Sequence, residues 1–176
     1  MDKIPSSSLT VSFGGRVLVL SSDIEISEAW DPSSNTTAPQ MHKFKAIWDT
    51  GATNTVINQS VADRVGLRPT GKTTTSTVNG QRLADTFLVN VRLPNGVGFK
   101  GLRVTEGTVT GGEVLIGMDI IGTGDFSVTC ADGITCMSFR VPSIKKIDYV
   151  AEHDKNQPKV RNRMKKNRNK MPWDRR

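Results

Sequence analysis

The stretch Ala46-Ile47-Trp48-Asp49-Thr50-Gly51-Ala52-Thr53 decides how this chain is read. Bulky apolar residues run into an acid, a small hydroxyl residue, a glycine and two more small residues. A strand ending this way predicts that the Asp49 carboxylate is carried into the protein interior, where lost hydration shifts its pKa. Gly51 leaves room for backbone N–H groups to approach that carboxylate. Thr50 adds a hydroxyl that both donates and accepts, so it can lock the loop to a neighbour. Ala52 and Thr53 keep the surroundings small. Asp-Thr-Gly by itself is often an ordinary turn, so its flanks carry the weight.

Those flanks are informative. Val56-Ile57 follows, and then Asn58, placed to cap a helix over residues 59–65 with Val61, Ala62 and Val65 on one face and Gly66 as the stop. Further on comes Val114-Leu115-Ile116-Gly117-Met118-Asp119-Ile120-Ile121, an apolar strand broken by glycine before a second short helix over residues 118–122. Ile120 and Ile121 would face the core.

The rest of the chain favours strands. Thr, Val and Ile supply 46 of 176 residues, and β-branched side chains suit pleated sheets better than helices. The runs 9–13, 17–20, 44–48, 73–78, 82–87, 88–93, 101–104, 126–130 and 135–139 read as short strands. Asn79-Gly80 and Asp132-Gly133 read as two-residue type I′ hairpin turns. Residues 28–42 read as a long loop. The fold class is therefore all-β for the most part, a barrel or sandwich with one or two short helices.

Charge divides the chain. Residues 151–176 hold ten Lys/Arg against three Asp/Glu, which accounts for the whole formal charge of +7. The body is neutral and gives no reason to expect nucleic-acid binding. Apolar residues thin out after Ala151, so a disordered basic tail is expected. Such a tail offers, weakly, a surface for nucleic acid or an acidic partner. No apolar run approaches the roughly 20 residues that span a bilayer. No secretory signal is visible at the start, so a cytoplasmic location is the default expectation.

In the order Asp49-Thr50-Gly51-Ala52-Thr53, then Val78-Asn79-Gly80, then Leu115-Ile116-Gly117-Met118-Asp119-Ile120-Ile121, the chain resembles the retropepsin-type aspartic proteases, specifically their bacterial single-domain members. The likeness runs from about Phe44 to Phe139. It implies a closed, mostly β barrel over residues 44–150 that acts as a homodimer, preceded by strands and a loop over 1–43. It implies catalytic Asp49, Thr50 and Gly51. It implies substrate contacts from Ala52, Thr53, Val78, Asn79, Gly80 and Ile116, with the hairpin near Asn79-Gly80 as a flap. Thr53 and Asn54 stand where viral members carry an acidic pair. Trp48 is larger than the usual residue before the aspartate.

Carboxylate-driven peptide hydrolysis needs two carboxyl groups, one to take a proton from water and one to give a proton. The chain has a single Asp-Thr/Ser-Gly loop. A two-fold axis setting Asp49 beside its own copy supplies the second. An alternative is a non-catalytic dimer that holds extended peptides and recruits a partner through the basic tail.

Other signals are weaker. Gly66-Leu67-Arg68-Pro69-Thr70-Gly71-Lys72-Thr73 spells a phosphate-binding loop, but a helix leads in and a β-branched run leads out, the reverse of what phosphate binding needs. Cys130 and Cys136, separated by a two-residue turn, would point to opposite sheet faces and stay reduced. Two Cys and two distant His, His42 and His153, make no metal site, and no cofactor is implied.

Overall fold

The structure is a computed structural model that describes residues 7–34, 36–77 and 80–156. Alternation builds its strands. In β3 (His42–Trp48), Phe44, Ala46 and Trp48 are buried while Lys43 and Lys45 face solvent. In β2 (Ser21–Glu28), Ile24 and Ile26 turn inward on either side of Glu25, and Ser27 is buried beside them. Only two apolar residues mark β2, which is why a composition-based reading passes over it. The predicted strand over 17–20 does not form, and Leu18 and Val19 lie in an exposed bend.

The strands close on themselves. β2, β3, β8 (Val114–Ile116), β4 (Val56–Ile57), β7 (Gly98–Glu106) and β6 (Gly80–Arg92) pair in that order, and β6 pairs back onto β2. The β3–β8 and β4–β7 pairs are parallel and the others antiparallel. β6 is one continuous strand where the sequence suggested two. Its Val89–Arg92 half closes the barrel against β2. Its first half pairs with β5 (Gly71–Thr77), from Gly71↔Thr86 to Thr77↔Gly80. β7 joins β6 only from Thr86 onward. The β5–β6 arm therefore reaches past the barrel wall as a two-stranded hairpin. Val78 and Asn79 lie outside the described residues.

A second sheet orders β1 (Ser7–Ser12), β10 (Cys136–Val141) and β9 (Asp125–Thr129), all antiparallel. Trp48 ties it to the barrel. The indole stacks on Phe126 at 5.6 Å between centroids and tilts against Phe139 at 5.2 Å. Its Nε1 donates to Ser22 Oγ at 2.9 Å, so the buried polar atom is satisfied. Beyond β10, the Asp125 carboxylate accepts from Ser143 Oγ at 2.5 Å, from Arg140 and from Ile144 N. The Ser143 hydroxyl first, then the Arg140 guanidinium and the Ile144 N–H, hold its carboxyl well below the ordinary carboxylate range.

Both helices of the barrel form. α1 (Gln59–Val65) buries Val61 and Ala62 and ends on Gly66, left-handed at φ 77°. α2 (Met118–Ile121) buries Ile120 and Ile121. The Asn58 side chain does not cap α1. It clasps the loop before β8 instead, with Oδ1 accepting from Val109 N at 2.7 Å and Nδ2 donating to Gly112 O at 3.2 Å.

The Asp132-Gly133 turn is wider than expected. Cys136 pairs with Thr129, so residues 130–135 all belong to the connection. Thr135 is drawn away by the N-terminal segment, donating to Gly15 O and accepting from Phe13 N. Cys130 thus does not face Thr135 across a tight hairpin. Both thiols are free.

The chain divides into Met1–Ile144 and Lys145–Arg176. The second unit carries α3 (Tyr149–Asn156), which runs into the stretch expected to be disordered. Asp148 explains its start, since its Oδ1 accepts from Ala151 N at 3.0 Å as a helix cap does. Residues 157–176 lie outside the described residues.

Candidate active site

Asp49 leaves the end of β3 with its neighbours pinned on both sides. Trp48 N donates to Leu20 O at 3.0 Å, and Asp49 N donates to Ile116 O at 3.0 Å. The chain then turns tightly, with Gly51 N donating to Asp49 Oδ1 at 2.8 Å. A Cβ on Gly51 would sit 3.1 Å from that oxygen, so glycine allows the close approach. Contrary to the sequence expectation, β3 does not carry the carboxylate into the interior of the subunit. Asp49 is half-buried, and Thr50 and Gly51 are exposed. The loop rides on the mouth of the barrel because β3 ends there.

A second layer of bonds holds the loop from behind. Met118 N donates to Ala52 O at 2.8 Å and Asp119 N to Thr53 O at 3.2 Å. Thr55, fully buried, donates from N and Oγ1 to the two carboxylate oxygens of Asp119, each at 2.8 Å. Asp119 Oδ1 also accepts from Ile120 N, and Thr55 Oγ1 accepts from Gly117 N at 3.3 Å. Gly117 allows this packing, since a Cβ there would lie 2.6 Å from the Asn54 carbonyl. Thr55 and Asp119 hold the loop from behind; the sequence reading quoted Asp119 within its motif without giving it a role and did not single out Thr55. Their signal was an acid in the first turn of a helix and a threonine at the edge of a buried strand.

The expected substrate contacts separate into groups. Ala52 is half-buried and Thr53 exposed, both on the Asp49 loop. Gly80 opens β6 at φ 108°, exposed, while Val78 and Asn79 lie outside the described residues. Ile116 lies apart from the others. Its side chain is 0% exposed because it pairs with Trp48 on the core face. The half-exposed residue of β8 is Leu115, which pairs with Ile47 on one side and Val56 on the other. Ile47, Leu115 and Val56 form a three-strand apolar row.

The hairpin arm is anchored by charge along its length. Arg82 bridges to Glu106 of β7 at 2.9 Å, and Lys72 to Asp85 at 2.9 Å. Lys72 is thus committed to the hairpin. With α1 leading in and β5 leading out, the Gly66–Thr73 stretch lacks the strand–loop–helix order of a phosphate cradle.

Residues 39–123 match the family model described as "gag-polyprotein putative aspartyl protease". The fold is retropepsin-like. The family match indicates an aspartic-type peptidase. No curated protein matches the chain. Among solved structures, the retropepsin-like chain is similar to a retropepsin-like aspartic protease from Rickettsia conorii, at 17% identity and TM-score 0.49, covering 80% of this chain and 98% of that one. It is similar to the retroviral protease-like domain of Ddi1 from Leishmania major at 19% identity and TM-score 0.41, over 76% and 99% of the two chains. EIAV protease in complex with the inhibitor HBY-793 is similar at 17% identity and TM-score 0.44, over 59% and 86%. No helix among the described residues is long and apolar enough to cross a membrane.

Proposed function

We propose that this retropepsin-like chain is an aspartic endopeptidase whose working site assembles when two copies bring Asp49 and its counterpart together across a two-fold axis. The observation that carries this reading is a single Asp-Thr-Gly loop, held rigidly by α2 yet half-open to solvent at the barrel mouth. One carboxyl cannot be the ionised base and the protonated acid at the same moment.

Two carboxylates a few ångströms apart do not both ionise readily, so the pair shares one proton, with apparent pKa values belonging to the pair. The ionised member takes a proton from a bridging water. The protonated member stabilises the tetrahedral oxyanion and then assists departure of the amine. Thr50, exposed beside Asp49, bonds across the axis and keeps the two loops in register. Gly51 N holds Asp49 Oδ1 from within the chain. An extended peptide lies along the row Ile47, Leu115 and Val56, with Ala52 and Thr53 at its edge. The β5–β6 hairpin, tipped by Val78, Asn79 and Gly80, closes over it by strand pairing and excludes water. The two free thiols suit a reducing, cytoplasmic setting.

Asp49→Asn keeps the shape of the loop and removes the titrating group. It is expected to abolish cleavage of an unfolded protein substrate at pH 4–7 while leaving thermal unfolding and mass in solution unchanged. Undiminished cleavage by Asp49→Asn would reject the assignment.

A further inference from the structure

Asn58 stands where α1 begins, with extended backbone at φ −69° and ψ 155°, yet its side chain makes no capping bond. An asparagine in that place ordinarily accepts from an N–H of the first helical turn. Here the amide turns instead toward the connection between β7 and β8. Its Oδ1 accepts from Val109 N at 2.7 Å, and its Nδ2 donates to Gly112 O at 3.2 Å and Val109 O at 3.4 Å. Its backbone N donates to Glu113 O at 3.0 Å. Ser, Thr and Asp also cap helices, but only an amide side chain offers an acceptor and two donors at once. The loop held in this way lies on the apolar row. A Cβ on Gly107 would sit 2.6 Å from Val56 Cγ1, and one on Gly112 would sit 2.9 Å from Ile47 Cγ1. Loop backbone therefore packs directly on both outer members of the row, with Leu115 paired between them. The ends of the loop are fixed by Gly107 N donating to Ile57 O and Glu113 N donating to Lys45 O, each at 2.9 Å. Between those ends, the Asn58 side chain clasps it at Val109 and Gly112.

We infer that Asn58 is a specificity-determining positioning residue: by fixing the loop over residues 107–113 against Ile47 and Val56, it sets how large an apolar side chain the row admits. The inference rests on the reading above, in which an extended peptide lies along that row. A substrate side chain set down on Leu115 has the loop backbone as its wall. An apolar pocket selects by volume, and one methylene changes selectivity by about 10–200-fold when the walls hold their places. A wall free to shift gives that selectivity up. The glycines bring the wall closer than a side chain would allow, and the Asn58 amide keeps it there. The bonds of this clasp run to the 107–113 loop, whereas the Asp49 loop is held from α2. Release of the clasp therefore acts on peptide binding and leaves the proton transfers in place.

The test compares Asn58→Ser and Asn58→Asp with the wild type in the full chain. Both replacements can cap α1, so they separate the clasp from the helix. Aspartate keeps an acceptor for Val109 N and has no donor for the Gly112 carbonyl, so its effect is expected to be the smaller. The substrates are peptides identical except for Ala, Val, Leu or Phe beside the cleaved bond. The wild type is expected to favour one size over the next by about tenfold in kcat/KM. Asn58→Ser is expected to raise KM for the favoured peptide about 3- to 10-fold, to keep kcat within about twofold, and to narrow the size preference at least about threefold. Amide hydrogen exchange is expected to quicken over residues 107–113 in Asn58→Ser and to stay unchanged over residues 49–53. An unchanged size preference, a fall in kcat with KM unchanged, or wild-type exchange over residues 107–113 would each overturn the role of Asn58 and leave the catalytic reading standing. A wild type that cleaves none of the peptides would overturn the catalytic reading and this role with it.

Discussion

At the scale of single residues, the Asp49 loop is held in shape mainly by groups that never meet substrate. Thr55 donates two hydrogen bonds at 2.8 Å to Asp119 behind the loop, and a buried acceptor that loses its donor costs about 1–3 kcal/mol. Thr55→Val is expected to lower unfolding free energy by roughly that amount in urea titration, and to lower kcat more than KM because the carboxylate is displaced rather than the peptide. Gly117→Ala forces a Cβ to within 2.6 Å of the Asn54 backbone. Overpacking of this kind typically costs about 1–3 kcal/mol, so the same titration is expected to show a loss of that size. Thr50 differs from both. It is exposed in the single subunit, so Thr50→Ser is expected to retain more activity than Thr50→Ala, with little change in the monomer's unfolding. Of these residues, the sequence made Asp49, Thr50 and Gly51 legible, because an apolar strand running into an acid and a glycine is a local pattern. Thr55 and Asp119 were not legible, since they are 64 positions apart and meet only once β4 and β8 pair.

At the scale of elements, Trp48 is where the barrel and the β1–β10–β9 sheet meet. Its ring packs on Phe126 and Phe139, and its N–H satisfies Ser22. Trp48→Ala is expected to cost about 3–5 kcal/mol. Trp48→Phe is expected to cost less, with the loss of one hydrogen bond, about 1 kcal/mol. Thermal or urea unfolding separates the two. The same residue delivers Asp49, so its packing fixes the direction in which the loop leaves β3. Most strands were readable from β-branched runs. β2 was not, because Ser, Asp and Glu dominate it and its two isoleucines show their purpose only against β3 and β6. The reverse error fell on residues 17–20. An apolar run there looks like a strand, yet the ladder ends at Ser21 and leaves Leu18 in solvent. Ile116 turns to the core face of the subunit while Leu115, one position earlier, is half-exposed. Alternation along a three-residue strand is too short to tell core face from open face without the neighbouring Trp48.

At the scale of the whole molecule, the closed ring of strands makes a rigid support and the hairpin arm is the part left outside it. The Asp125 carboxylate fastens the exit from β10 through Ser143, Arg140 and Ile144. Because its pKa is lowered on folding, its contribution is complete above the ordinary carboxylate pKa and fades as pH falls through the depressed folded value. The melting temperature of Asp125→Asn is therefore expected to fall below the wild type's near pH 7 and to converge on it in strong acid. The latch stays charged in mild acid. The formal charge of +7 belongs to residues 151–176 and leaves residues 1–150 with no net charge.

The central claim is that one Asp49 does no chemistry without another. Cleavage rate per subunit, measured across enzyme concentrations that span the dimer dissociation constant found by sedimentation, tests it most directly. The account predicts a specific activity that falls toward zero on dilution, in step with the dimer fraction, and that mixing in excess Asp49→Asn subunits suppresses further. A specific activity that stays constant down to concentrations where only monomer remains would contradict it.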